Sequence, residues 1–166
     1  MERRTVLMVT QDVEVTRRIL QEAHSLTDAG HDVRILTRSP DERDDKGTVD
    51  GLPVEWVAVR GRDPRFGWVY RLAGITRGTQ AAALWSVLSG RHTFTMRALP
   101  RAIAYRAHIY HAHDLNNLEV AYRAARRMGA KLVYDAHELF PEMANRWVRL
   151  RKRYWSRLEA RLLPCA

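Results

Sequence analysis

The sequence holds a single cysteine, Cys165, which excludes an internal disulfide and fits the reducing cytoplasm. No apolar run approaches the ~20 residues that a membrane-spanning helix needs. The N-terminal stretch "MERRTVLMVTQD" has a short apolar run that meets acid at once and carries no cleavage site, so it reads as a first strand and not as a signal peptide. Glycine is missing from the first strand-to-helix turn, "TQDVEVTRR". A Rossmann dinucleotide site carries G-x-G-x-x-G there, so a conventional NAD or FAD site is excluded. An anion could still sit at that helix N-terminus, helped by Arg17 or Arg18. No pair of residues has the tight zinc spacing of an H-E-x-x-H helix, and no metal site is expected. There is no internal repeat and no low-complexity segment. Acid is scarce, with 19 Asp and Glu against 28 Lys and Arg, a net charge of +9. That balance points to polyanionic company: nucleic acid, an anionic membrane face or phosphorylated ligands.

What is present is a globular composition. Of the 166 residues 46% are hydrophobic, enough for one domain with a real core. "TVLMVT" (Thr5 to Thr10) is a continuous apolar run with β-branched residues, as in a strand buried on both faces. Val15, Ile19, Ala23 and Leu26 follow at helical spacing, and Gly30 sits where a C-terminal cap belongs. "HDVRILTR" is a second strand, which completes a βαβ unit. The polar stretch "SPDERDDKGTVDGLP" (Ser39 to Pro53) reads as a loop and "VEWVAV" as a third strand. From Arg65 to Ala107 the pattern is helical but interrupted at Gly74, Gly78, Gly90 and Pro100, which predicts two or three helices. "HIYHAH" gives a fourth strand, "LEVAYRAARRMG" a helix ending at Gly129, and "KLVYD" a fifth strand. An amphipathic helix from Asn145 to Leu163 closes the chain. Alternating strands and helices predict an α/β fold, an open and mainly parallel sheet in the order 3-2-1-4-5 with helices on both faces.

In such a sheet ligands bind beyond the carboxyl ends of the strands, where the strand order reverses. Three strands end there in polar residues: "TQD" with Asp12, "HAHD" with His111, His113 and Asp114, and "DAHE" with Asp135, His137 and Glu138. Order 3-2-1-4-5 would bring them to one cleft. His111 and His113 alternate along an extended chain and so face the same way. Asp114 and Asn116 are also the residue types that cap a helix, and capping leaves room for ligand contact.

At these residues a resemblance is legible. "RRILQEAHSLTDAGHDVRILTR" and "AHIYHAHDLNNLEVAYRAARRMGAKLVYDAHELFPE" resemble the N-terminal domain of GT-B glycosyltransferases of the retaining family 4 type. The match is specific over residues 17–38 and 107–142, and architectural over 39–106. The resemblance implies one half of a GT-B architecture, spanning residues 1–166 and mainly holding the acceptor, while a C-terminal domain grips a nucleotide-sugar donor. It implies no cofactor beyond that co-substrate. It places His137 against the transferred sugar near the reacting centre, with the "HAHD" residues lining the cleft. Asp114, Asn116, Asn117 and Glu138 would then position acceptor hydroxyls, lipid-linked acceptors among them. The chain departs from the family in the glycine-free first loop, and in stopping at "RLLPCA", about where relatives begin another strand. The donor domain is therefore expected to be absent and the isolated chain inactive.

A reading from another class stays open beside it, that of a basic module that binds a membrane surface or nucleic acid without catalysis. Trp147, Leu150, Tyr154, Leu158 and Leu162 recur at helical spacing among arginines, so 146–163 could lie at a membrane interface on the cytoplasmic side. The same stripe could equally pack on the sheet. Nucleic acid is the weaker partner, since no binding motif appears and the aromatics follow a core stripe.

Overall fold

The structure is a computed structural model, and it describes residues 2–59, 93–137 and 149–165. Six strands form one sheet: β1 (Thr5–Val9), β2 (Asp32–Arg38), β3 (Asp45–Val49), β4 (Leu52–Val57), β5 (Ile109–His113) and β6 (Lys131–Asp135). The helices are α1 (Arg17–Asp28), α2 over residues 93–104, α3 (Leu115–Met128) and α4 (Arg149–Leu162). The sheet order is β3-β4-β2-β1-β5-β6, and every pairing is parallel except β3 with β4. The five expected strands stand in the expected order.

The sixth strand corrects the sequence reading. Residues 45–49 are not loop but an antiparallel edge strand, turned back onto β4 through Asp50 and Gly51. Both turn residues have positive φ, 51° and 77°. A two-residue hairpin turn of that hand matches the right-handed twist of its strands, and Asp-Gly is a favoured pair for it. The periodicity was silent because β3 buries almost nothing: four of its five residues are exposed.

Pro100 also behaves differently from the expectation, since α2 runs through it without a break. Pro100 and Met96 lie on the exposed face, where water can serve the carbonyl that a proline N–H cannot. Gly74, Gly78, Gly90 and the rest of 60–92 lie outside the described residues.

The sheet has a core on each face, as a strand period of two requires. Val6, Met8, Val33 and Ile35 pack with Ile19 and Ala23 of α1. Leu7, Val9, Tyr110 and Ala112 pack on the other face with α2, α3 and α4. Gly30 ends α1 in the left-handed region, with Gly30 N–H donating to the Thr27 carbonyl (2.8 Å) and His31 N–H to the Leu26 carbonyl (3.1 Å). Those paired bonds satisfy carbonyls the helix leaves open, and glycine adopts the required φ without a Cβ penalty.

The tail settles one of the open alternatives. Trp155 and Leu162 are buried, and Tyr154 and Leu158 pack partly buried against the same core. Over its described side chains the apolar stripe of α4 is core. Trp147 and Leu150 lie outside the described side chains.

Candidate functional site

The polar ends of β5 and β6 meet under α1. His111 and His113 point to the α1 face of the sheet, and His113 is register-paired with Asp135 on β6. Arg18 and Glu22 stand one helical turn apart on α1 and reach the same spot. His111 Nδ1 lies 3.6 Å from Glu22 Oε1, and His113 Nε2 lies 4.0 Å from Glu22 Oε2. His113 Nδ1 lies 3.5 Å from Asp135 Oδ2. The two imidazoles are stacked with ring centroids 4.3 Å apart, and the His137 ring is 6.1 Å from that of His113.

His137 leaves β6 on a loop and is held from several sides. Its Nδ1 faces Asp135 Oδ1 at 3.3 Å and contacts the Arg18 guanidinium. Its backbone N–H donates to Asp114 Oδ1 at 3.4 Å. Arg18 also reaches Asp135 Oδ2 at 3.9 Å.

Burial sets the charge states. His111 and His113 are only 4% and 1% exposed. Burial pushes the His113 imidazole down to about 3, helped by the neighbouring His111 and Arg18. Burial lowers His111 as well, with Asp135 opposing and Arg18 assisting. Both rings are therefore neutral at physiological pH. Glu22 moves the other way, raised by burial and then by Asp135, while Arg18 pulls it down. Neutral imidazoles leave nitrogens that can donate or accept, and among the described residues several do neither. Nε2 of His111, both ring nitrogens of His113 and Nε2 of His137 are buried there without a hydrogen-bond partner.

Asp114 turns the chain between β5 and α3 with φ 65° and ψ 162°. That region is essentially reserved for glycine, so an aspartate there stores strain. It occupies the N-cap position, yet its side chain makes no cap bond and turns to His137 instead. Its own N–H donates to the Asp135 carbonyl at 2.9 Å, which ties the ends of β5 and β6 together.

The remaining candidates divide. The end of β1 joins through Gln11, whose Nε2 donates to the Asn116 carbonyl at 3.0 Å. Asp12 itself is exposed on that turn, its N–H bonded to Thr10 Oγ1 (3.1 Å) and its carbonyl to Thr37 Oγ1 (2.6 Å). Its carboxylate makes no contact with the histidine cluster among the described residues. Asn117 is buried, and its amide NH2 is used by the His113 carbonyl and by Asn116 Oδ1. Glu138 lies outside the described residues. Glu22 escaped the sequence reading, although a signal existed: it flanks the buried Ile19 and Ala23 on α1, four residues after Arg18. Of the two arginines named as anion partners, Arg18 is the one at the site.

The family can now be stated. The sequence matches the model described as Glycosyl transferase 4-like domain over residues 14–166. The chain belongs to that family. A search of curated proteins by sequence finds no match. Among solved structures, sucrose-phosphate synthase from Thermosynechococcus elongatus is similar in fold. One such structure has a TM-score of 0.63 at 13% identity, covering 97% of this chain and 40% of that one. A second structure of that enzyme has a TM-score of 0.57 at 13% identity, covering 93% and 68%. The catalytic domain of starch synthase IV from Arabidopsis thaliana, bound to ADP and acarbose, has a TM-score of 0.56 at 19% identity, covering 83% and 34%. The glycosyl transferase 4-like chain thus spans well under half the length of two of these structures. The sheet is the Rossmann-like type of the GT-B neighbours, with helices on both faces. No helix among the described residues is long and apolar enough to cross a membrane.

Proposed function

We propose that this glycosyl transferase 4-like domain is the acceptor-side half of an enzyme that moves a sugar from a nucleotide-diphosphate donor to an acceptor hydroxyl with retention. One observation carries the reading: His137 is fixed at the carboxyl end of the sheet by Arg18, Asp135 and Asp114, with a buried nitrogen unused among the described residues. Sugar transfer needs a departing diphosphate and a cationic sugar stabilised in line with the attacking hydroxyl. A fixed imidazole beside a guanidinium supplies donors to developing negative charge at no reorganisation cost. His137 takes the catalytic role, near the transferred sugar or its departing phosphate. Asp114, Asn116 and Glu138 are the acceptor-side candidates, and His111, His113 and Asp135 form the wall behind His137.

The division of labour assigns the donor grip to a second domain, so residues 1–166 alone transfer no sugar and bind nucleotide sugars no better than millimolar. Micromolar, stoichiometric binding by this chain in calorimetry would move the donor site into it. For the complete enzyme, NMR of the product's anomeric proton tests retention, and an inverted product would refute it. His137→Ala lowers turnover there by more than ~10-fold, since one well-placed donor to developing charge is worth on the order of 3 kcal/mol. Unchanged turnover at saturating substrate, with an unchanged melting temperature, would leave His137 a structural role.

The non-catalytic membrane module loses its main support where Tyr154, Trp155, Leu158 and Leu162 enter the core. Contact with a cytoplasmic membrane face and a lipid-linked acceptor then rest on charge alone, through the exposed Arg153, Arg157 and Arg161 of α4. Co-sedimentation with anionic vesicles should be lost at high salt.

A further inference from the structure

We propose that Glu22, His111, His113 and Asp135 form a binding site for a divalent transition-metal ion of the zinc class. One donor atom from each residue lies within 4.8 Å of all the others. Tetrahedral ligands at 2.0–2.2 Å from an ion stand roughly 3.3–3.6 Å apart. The closest pairs here, at 3.5 and 3.6 Å, already have that spacing, and the wider ones lie within 4.8 Å and would close on an ion by side-chain adjustment.

The second support is what the cluster leaves undone. Both nitrogens of His113 are buried without hydrogen-bond partners among the described residues, although Glu22 and Asp135 face them, and Nε2 of His111 is unpartnered there as well. An unmade bond at a buried polar atom costs about 1–3 kcal/mol. Two such rings stacked in one place therefore call for an occupant, and a lone pair on a neutral imidazole is what an ion binds. The donor chemistry selects the ion: two imidazoles and two carboxylates suit zinc, cobalt, nickel or ferrous iron, whereas calcium and magnesium prefer oxygen alone. The two carboxylates balance the charge of a divalent ion, and Arg18 beside Asp135 leaves the loaded cluster with one net positive charge.

The sequence set metal aside because no motif has zinc spacing along the chain. In the fold the donors come from a helix and two adjacent strands, where sequence spacing carries no information. The ion would sit behind His137, sharing Asp135 with it, and would position that ring and take no part in the transfer. The site stands on its own geometry and does not rest on the proposed reaction.

The test uses the 166-residue chain, stripped with chelator and titrated with zinc by calorimetry. Elemental analysis after gel filtration should find about one zinc per chain, and a saturating excess should raise the melting temperature by about 5–10 °C. The cobalt-loaded chain should give the intense visible absorption of a four-coordinate ion. Glu22→Gln, at a half-buried position on the rim, should weaken binding by more than tenfold with the fold intact by circular dichroism, and His113→Gln should abolish it. His24→Gln, a surface histidine away from the cluster, should change nothing. Substoichiometric zinc, or binding that survives both Glu22→Gln and His113→Gln, would overturn the site.

Discussion

Two clusters in this molecule bring carboxylates and cations together, and they are built to opposite standards. At the hairpin, Glu55 is 6% exposed and fully engaged: Arg101 Nε at 3.0 Å, Lys46 Nζ at 3.2 Å and the Tyr105 hydroxyl, which donates at 2.8 Å. Asp44 beside it takes Arg97 at 2.7 Å, Arg101 at 2.8 Å and the Ala58 N–H at 2.8 Å. Around His111 and His113, by contrast, the gaps to Glu22 and Asp135 are 3.5–4.0 Å, and ring nitrogens stay unpaired among the described residues. A network whose carboxylates are fully engaged fixes structure, even with Arg97 Nε left without a partner among the described residues. One whose buried ring nitrogens have no partner among the described residues, beside a strained turn at Asp114, has valences left for something from outside.

The largest effect should come from breaking the saturated cluster. Glu55→Gln keeps the shape but removes the charge that faces Arg101 and Lys46 from a buried position. Losing one partner of such a network should cost roughly 2–3 kcal/mol, below the upper range because Arg101 keeps Asp44. A denaturant titration should show a lower midpoint at unchanged slope. An unchanged midpoint would mean the hairpin does not depend on this network.

The open cluster should respond with the opposite sign. Asp114→Gly relaxes a backbone at φ 65°, ψ 162°, against the entropy that glycine adds to the unfolded chain. The net gain should be about 1 kcal/mol. The same change frees the His137 loop from its Asp114 contact, so the complete enzyme should melt higher and turn over more slowly. If stability and turnover fall together, Asp114 is a packing residue and the contrast between the clusters fails there.

How far the sequence reached follows the same division. The apolar runs of β1, β2, β4 and β5 and the Ile19/Ala23 stripe of α1 are burial signals, and burial orders the sheet, so those elements were legible. "DKGTV" was not, since an edge strand facing water has no hydrophobic period; only its Asp-Gly turn betrayed it. His111, His113 and His137 stood out as polar residues closing buried strands. Their partner Glu22 did not, because a glutamate on a helix looks the same whether it faces solvent or a histidine pair. Trp155 was likewise left off the tail stripe, yet among the described side chains of α4 it is the most fully buried.

The smallest effect is the one that tests whether the hairpin cluster is electrostatic as well as geometric. Burial alone would push the Asp44 carboxyl up, but the Ala58 N–H, Arg101 and Arg97 outweigh it and hold it below its ordinary value of 3.8. A carboxylate depressed in the folded state contributes stability above the unfolded value, and that contribution disappears as pH falls through the folded one. Asp44→Asn should therefore lower the melting temperature at pH 7 and converge on the parent chain in acid. That convergence lies at pH values below the ordinary 3.8, and because the Asp44 side chain is 41% exposed, solvent screens much of the interaction. The difference at pH 7 should be only about 1–3 °C, and it should shrink in high salt. A difference that persists unchanged in acid would assign the role of Asp44 to its hydrogen bonds and not to its charge.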